Sequence, residues 1–285
     1  VSTSAIPAAP TARDPVLRAP SPTGARLSQR VPVAQLRVMF LGFTPVSAAA
    51  AVMLAGCGAR GFVVVDPQPV TWDDARAGAY DVPDVGLARE LVIRQRIRAA
   101  NPAAAPIGDP AGHPSRGLRG TLVVRSRDFT HRDGDGLDPR LEAASAHLSE
   151  DHRVIDVATP AGHAPGTTVL WPPRPWHARA CGQCLARAAG ISGPEPARAP
   201  RHDVWPAHTA MAASVLVQQI VAVAGGSADD LEDRVTVIRP GAPLSAVGRL
   251  PTTPAGCALC AASWSPGGRG TGAVSGTGTA TGGGT

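Results

Sequence analysis

The sequence predicts an α/β fold built on a mostly parallel sheet flanked by helices, and three observations carry that expectation. Short Val-rich runs of strand length recur at 35–41, 61–66, 121–128 and 152–159. Stretches with helical patterning lie between them, and alternation of that kind implies parallel strands joined by helical crossovers. The stretch LGFTPVSAAAAVMLAGCGARGFVVVD, residues 41–66, then reads as strand, turn, helix, strand and a closing acid.

Taken in order, residues 1–34 are rich in Pro, Ala, Ser and Arg without sustained apolar periodicity, and are expected to be a flexible lead-in. QLRVMFL at 35–41 is the first strand, and 47–55, almost all small residues, is a helix closed by G-C-G at 56–58. Small residues let that helix sit close on the sheet. GFVVVD at 61–66 is the second strand. VGLARELVIRQRIRAA at 85–100 places Leu87, Leu91, Val92, Ile93 and Ile97 near helical spacing, and Pro102 stops it. Strands at 121–128 and 152–159 follow, with a helix at about 139–148 between them. Beyond Gly166 the texture changes to a strand-like then proline-broken run, a helix at 207–224 and a strand at 235–240. These are expected to extend one domain over 35–264, followed by a disordered Gly/Thr tail at 265–285.

Composition excludes several classes. The chain has 285 residues, and a hydrophobic fraction of 44% suffices for a buried core. All 27 basic residues are arginine, scattered singly, so the net charge of +5 reads as a solvated surface rather than a nucleic-acid arm. The most apolar helix, 207–224, carries His208, Gln218 and Gln219 and breaks at Gly225, which argues against a membrane span. The N-terminus lacks the apolar stretch of a secretory signal, so a cytoplasmic protein is expected.

Two groups of residues could carry chemistry. Cys181-Gly-Gln-Cys184 and Cys257-Ala-Leu-Cys260 are CxxC pairs with 72 residues between them. Each turn can present two thiolates, and the four together make a closed tetrahedral zinc site of structural type. A redox dithiol or unligated cysteines are the other readings. Cys57, inside the G-C-G turn, is expected to be a buried small hydrophobe.

The second group is the βαβ unit. A dinucleotide-binding turn uses three glycines to bend, to approach phosphate and to pack helix on strand. Those positions here read Gly42, Thr44 and Ser47. Thr44 and Ser47 can still offer hydroxyls at a helix N-terminus, where backbone N–H groups favour an anion, but Pro45 removes one of those donors. Asp66 lies 24 residues past Gly42, near the usual ~20 for a ribose-binding carboxylate. The unit is Rossmann-like, and nucleotide binding is left open by its turn.

The order of these features, with a V-G-x-x-(basic) segment, a helix ending in Asn101-Pro102, a strand ending in Asp128 and paired CxxC motifs, resembles the ThiF/MoeB/HesA family, relatives of ubiquitin-activating enzymes. The resemblance spans roughly 35–262. It implies a turn at 42–48 facing ATP, with the family's glycines mostly replaced. It also implies Asp66 on ribose, Gln68 in place of a second acid, and Arg76 and Arg89 on phosphates. Asp128 would serve the magnesium nucleotide, and Cys181, Cys184, Cys257 and Cys260 would hold structural Zn²⁺.

The activity implied by the resemblance is ATP-dependent adenylation of the C-terminal carboxylate of a peptide or small protein, with Arg76 and Asp128 catalytic, by a homodimer. An alternative is a catalytically silent branch, found in peptide natural-product clusters, that binds a precursor peptide for a cyclodehydratase. An NAD(P) oxidoreductase accounts for neither the CxxC pairs nor Asp128.

Overall fold

The computed structural model describes residues 31–107, 121–127, 141, 148, 152–158, 167–171, 173–175, 206–226, 234–239 and 245–249. Among them one sheet contains β1 (Arg37–Leu41), β2 (Gly61–Val65), β3 (Ala105–Ile107), β4 (Leu122–Arg127), β5 (Arg153–Ala158), β6 (Thr168–Leu170), β7 (Arg174–Pro175), β8 (Arg234–Ile238) and β9 (Ser245–Arg249). The strand order is β3-β2-β1-β4-β5-β6-β8-β9, with β7 also on β5. From β3 to β5 all pairings are parallel; from β5 onward they are antiparallel. β3 has three residues, and neither its A-P-I nor the S-A-V-G-R of β9 stands out as an apolar run in the sequence.

Alternation along the strands gives the sheet two apolar faces, as a helix-covered parallel sheet requires. Val38, Phe40, Phe62, Val64 and Val124 belong to one core, with residues of α1 (Pro45–Gly56), α3 (Arg89–Ala100) and α4 (Pro206–Ala224). Met39, Leu41, Val63, Val65, Val123 and Val154 belong to the other, with Leu148. On that second face Arg125 and Asp156, paired in register across β4 and β5, form a two-pronged ion pair at 2.6 and 2.8 Å.

α1 begins two residues before the expected start because Thr44 caps it and Pro45 takes the first helical position, where its missing N–H costs nothing. Val46, Ser47, Ala48, Ala50, Ala51, Leu54 and Ala55 are all buried, so its small residues serve close packing on more than one side. α4 is apolar and long enough to cross a membrane by composition. It nevertheless buries Ala212, Ala213, Leu216, Ile220 and Val223 in the first core.

Two expectations are corrected. The helix predicted from residue 85 starts only at Arg89, because Gly86 is in the left-handed region (φ 91°) and Ala88 bridges antiparallel to Pro69. Its inner face is therefore Glu90, Ile93 and Ile97, with Val92 beside it, and Leu87 and Leu91 are 52% and 55% exposed. Cys57 is exposed rather than buried, since it caps the C-terminus of α1 and lies beyond the packed part of the helix. A short helix that the sequence did not suggest, α2 (Trp72–Arg76), follows β2.

Candidate functional site

The strand order reverses between β1 and β4, and in open α/β sheets ligands enter the crevice at the C-terminal ends of the strands flanking such a reversal. Gly42, Thr44, Ser47, Asp66 and Arg89 meet at this end of the sheet. Gly42 leaves β1 in the left-handed conformation (φ 70°), its N–H donating to the Val65 carbonyl at 2.8 Å. That bend turns the chain into α1.

The start of α1 is held by bonds among its own residues and β4. Thr44 N–H donates to Ser47 Oγ (2.9 Å) and, at 3.3 Å, to Ser126 Oγ near the end of β4; Ser47 N–H donates to Thr44 Oγ1 at 3.2 Å. The Ser47 and Ser126 hydroxyls are 2.7 Å apart. Pro45 has no N–H to offer. Of the donors that could face an anion at this helix N-terminus, the Thr44 and Ser47 N–H groups are committed to a reciprocal capping box.

Asp66, 1% exposed, directly follows β2. Its Oδ2 accepts the Phe43 N–H at 2.7 Å and its Oδ1 the Gln68 N–H at 2.9 Å. Burial pushes its carboxyl above the usual carboxylate value, and Arg89 with those two N–H groups offsets this only in part. Arg89 is brought here by backbone: its N–H donates to the Gln68 carbonyl (2.9 Å), continuing the bridge between Pro69 and Ala88.

The Arg89 guanidinium spans the site. Nη1 donates to the Phe43 carbonyl at 3.2 Å and sits 3.6 Å from Asp66 Oδ2; Nε and Nη2 reach Asp74 Oδ2 at 3.0 and 2.6 Å. Burial works against the charge, but Asp74 first and Asp66 second outweigh it and hold the proton more firmly than usual. Tyr80 lies close enough to feel these charges, and burial pushes its phenol well above the ordinary value.

Arg76 projects from α2 with 59% of its side chain exposed and pairs with Asp73 at 3.3 Å. Asp128 and the four cysteines Cys181, Cys184, Cys257 and Cys260 lie outside the described residues. Among the described residues no group of three or more His, Cys, Asp or Glu is arranged to hold a metal. Sequence reasoning missed Asp74 and Ser126. Asp74 had a signal in T-W-D-D, a capping box in which Thr71 and Asp74 bond reciprocally; Ser126 had none, because its contacts span 79 and 82 residues.

Fold and crevice together define a mostly parallel α/β protein with flanking helices and a reversal point between its first and fourth strands. Among solved structures this chain is similar to E. coli MccB. With MccB bound to MccA-N7isoASN the TM-score is 0.52 at 14% identity, covering 80% of this chain and 67% of that one. With MccB bound to ATP it is 0.51 at 14%, covering 80% and 68%. With the microcin C7 biosynthetic enzyme MccB in complex with N-formylated MccA it is 0.52 at 15%, again covering 80% and 68%. At these identities the likeness shows the fold. No protein-family model and no curated protein matches the chain.

Proposed function

We propose that this chain is a peptide-binding relative of the ThiF/MoeB-type adenylyltransferases in which the nucleotide crevice is closed by the protein's own groups. It serves as a scaffold that presents a precursor peptide to a modifying enzyme such as a cyclodehydratase. The observation that carries this reading is the internal satisfaction of the crevice. Thr44 N–H is committed to Ser47 and Ser126, Asp66 accepts two backbone N–H groups, and Arg89 lies between Asp66 and Asp74. A ribose or phosphate entering there must break bonds the protein already makes, and a buried group left unpaired is costly. Support for a peptide partner comes from the MccB structures, which hold MccA forms on a similar fold.

A second reading, ATP-dependent adenylation of a peptide C-terminus, is favoured by two retained features: the left-handed Gly42 and an acid at the tip of β2. In that reading Asp66 holds ribose, Arg89 and Arg76 neutralise phosphates, and Asp128 takes Mg²⁺. ATP–pyrophosphate exchange, run with the full chain and a candidate precursor peptide over a range of concentrations, separates the two. The scaffold gives peptide binding without exchange; peptide-dependent exchange overturns it.

The zinc site belongs to the same proposal. Cys181, Cys184, Cys257 and Cys260 are the four thiolates of a structural centre, in a domain spanning 35–264 that works as a homodimer in a reducing cytoplasm, where zinc is favoured over disulfide. Elemental analysis of protein purified without chelators should give one zinc per chain. Protein free of zinc and fully folded would remove the metal from the account.

A further inference from the structure

We propose that Asp74 is the positioning residue that keeps phosphate groups out of the crevice, by holding the Arg89 guanidinium across it. This rests on the closed-crevice reading and identifies what does the closing. Three observations on α2 carry it.

First, Asp74 is far more committed than its neighbour. Its side chain is 6% exposed, whereas Asp73 keeps 48% of its side chain exposed and pairs with the exposed Arg76. Asp74 Oδ2 alone accepts from Thr71 N–H (2.8 Å), Thr71 Oγ1 (2.9 Å), Arg89 Nε (3.0 Å) and Arg89 Nη2 (2.6 Å). Second, helix capping does not require its carboxylate. α1 uses the same Thr-x-x-X box with a neutral Ser47 at the corresponding position, and that hydroxyl accepts the Thr44 N–H just as Asp74 accepts the Thr71 N–H. The charge at residue 74 is therefore explained by Arg89 and not by the cap. Third, with Nε and Nη2 directed to Asp74 and Nη1 to Phe43, the planar fork that would otherwise grip a phosphate through two donors is turned onto the protein itself. An incoming phosphate has to displace a buried carboxylate that is already paired.

The test replaces Asp74 by Ser, which recreates the capping arrangement of α1 and removes only the carboxylate; Asp74→Asn is a second variant that retains a cap acceptor. Calorimetric titration of the full chain with AMP and with inorganic pyrophosphate reads the result, AMP engaging the Asp66 side as well and pyrophosphate only the cation. Thermal melts confirm that the variants are folded. Freed of its partner, Arg89 should raise affinity for at least one probe about tenfold over the unsubstituted chain. Asp73→Ser, which removes the same charge from the same helix, should leave affinity unchanged, and adding Arg89→Ala to Asp74→Ser should abolish the gain.

The proposal is overturned if neither Asp74 variant binds AMP or pyrophosphate more tightly, if Asp73→Ser gives an equal gain, or if the gain survives loss of Arg89. Failure of the closed-crevice reading looks different. There the unsubstituted chain itself shows ATP–pyrophosphate exchange, and the comparison between it and the Asp74 variants still decides what Asp74 does.

Discussion

Ser47 Oγ and Ser126 Oγ stand 2.7 Å apart, joining the first turn of α1 to the end of β4 across the point where the strand order reverses. The contact ties helix to strand through hydroxyls at the position where a dinucleotide-binding turn packs the two through a glycine. Because Ser47 Oγ also receives the Thr44 N–H, replacing it by alanine removes the returning half of the capping box and this bridge together, while Thr44 Oγ1 still caps the Ser47 N–H. Ser47→Ala should destabilise the fold by about 1 kcal/mol, measured by denaturant unfolding with an unchanged m-value. A change within error of zero would mean that the Ser47 hydroxyl contributes nothing here.

Gly42 sits at φ 70°, and a Cβ there would meet nothing closer than the Ser126 carbonyl oxygen at 3.6 Å, an ordinary contact. The cost of a side chain is therefore conformational and not steric. Gly42→Ala should lose roughly 1–2 kcal/mol while Gly42→Asn loses less, since Asn visits the left-handed region more readily. Equal losses from the two would point to crowding instead.

Asp66 gives a pH signature. Its folded-state carboxyl titrates above the ordinary value because of burial, so the native state binds its proton more tightly than the unfolded chain does. Stability from this group is greatest below the unfolded value of about 3.9 and is lost as pH rises through the folded value. Carboxyl-carbon NMR should place the Asp66 midpoint above that of an exposed Asp. Removing the neighbouring cation by Arg89→Ala should raise it further, and a midpoint that falls on that substitution contradicts this charge arrangement.

The Arg125–Asp156 pair lies on the opposite face of the sheet, its side chains 15% and 12% exposed. Truncating Arg125 takes both charge-assisted bonds from the Asp156 carboxylate, so Arg125→Ala should cost on the order of 3 kcal/mol, whereas replacing both by apolar residues of similar volume should cost far less. Thermal unfolding of the single and double variants distinguishes a buried pair from a decorative one.

β1, β2, β4 and β5 were legible because each is a short apolar run of strand length, whereas β3 was not; the closing acid of the βαβ unit marked Asp66 directly. The helix boundary at residue 85 was misplaced because Leu87 and Leu91 mimic helical spacing while Gly86 turns the chain and Pro69 captures Ala88. Arg89 was marked by the resemblance that its V-G-x-x-(basic) segment carries, yet its ion-pair partner Asp74 lies 15 residues away on a helix too short to show periodicity. Ser126 reaches Thr44 across 82 residues, a relation set by sheet topology and invisible to any local pattern.

The contact between α1 and α4 bears on how the molecule assembles. Met53 and Ser214, whose side chains touch at 3.9 Å, are separated by 161 residues, so loop-closure entropy is met late for this part of the core. On a ribosome, the parallel strands emerge first with one flank of α1 still bare, and that flank is apolar. The small residues that let α1 nestle between its neighbours also limit how much greasy surface a nascent chain shows while it waits for α4.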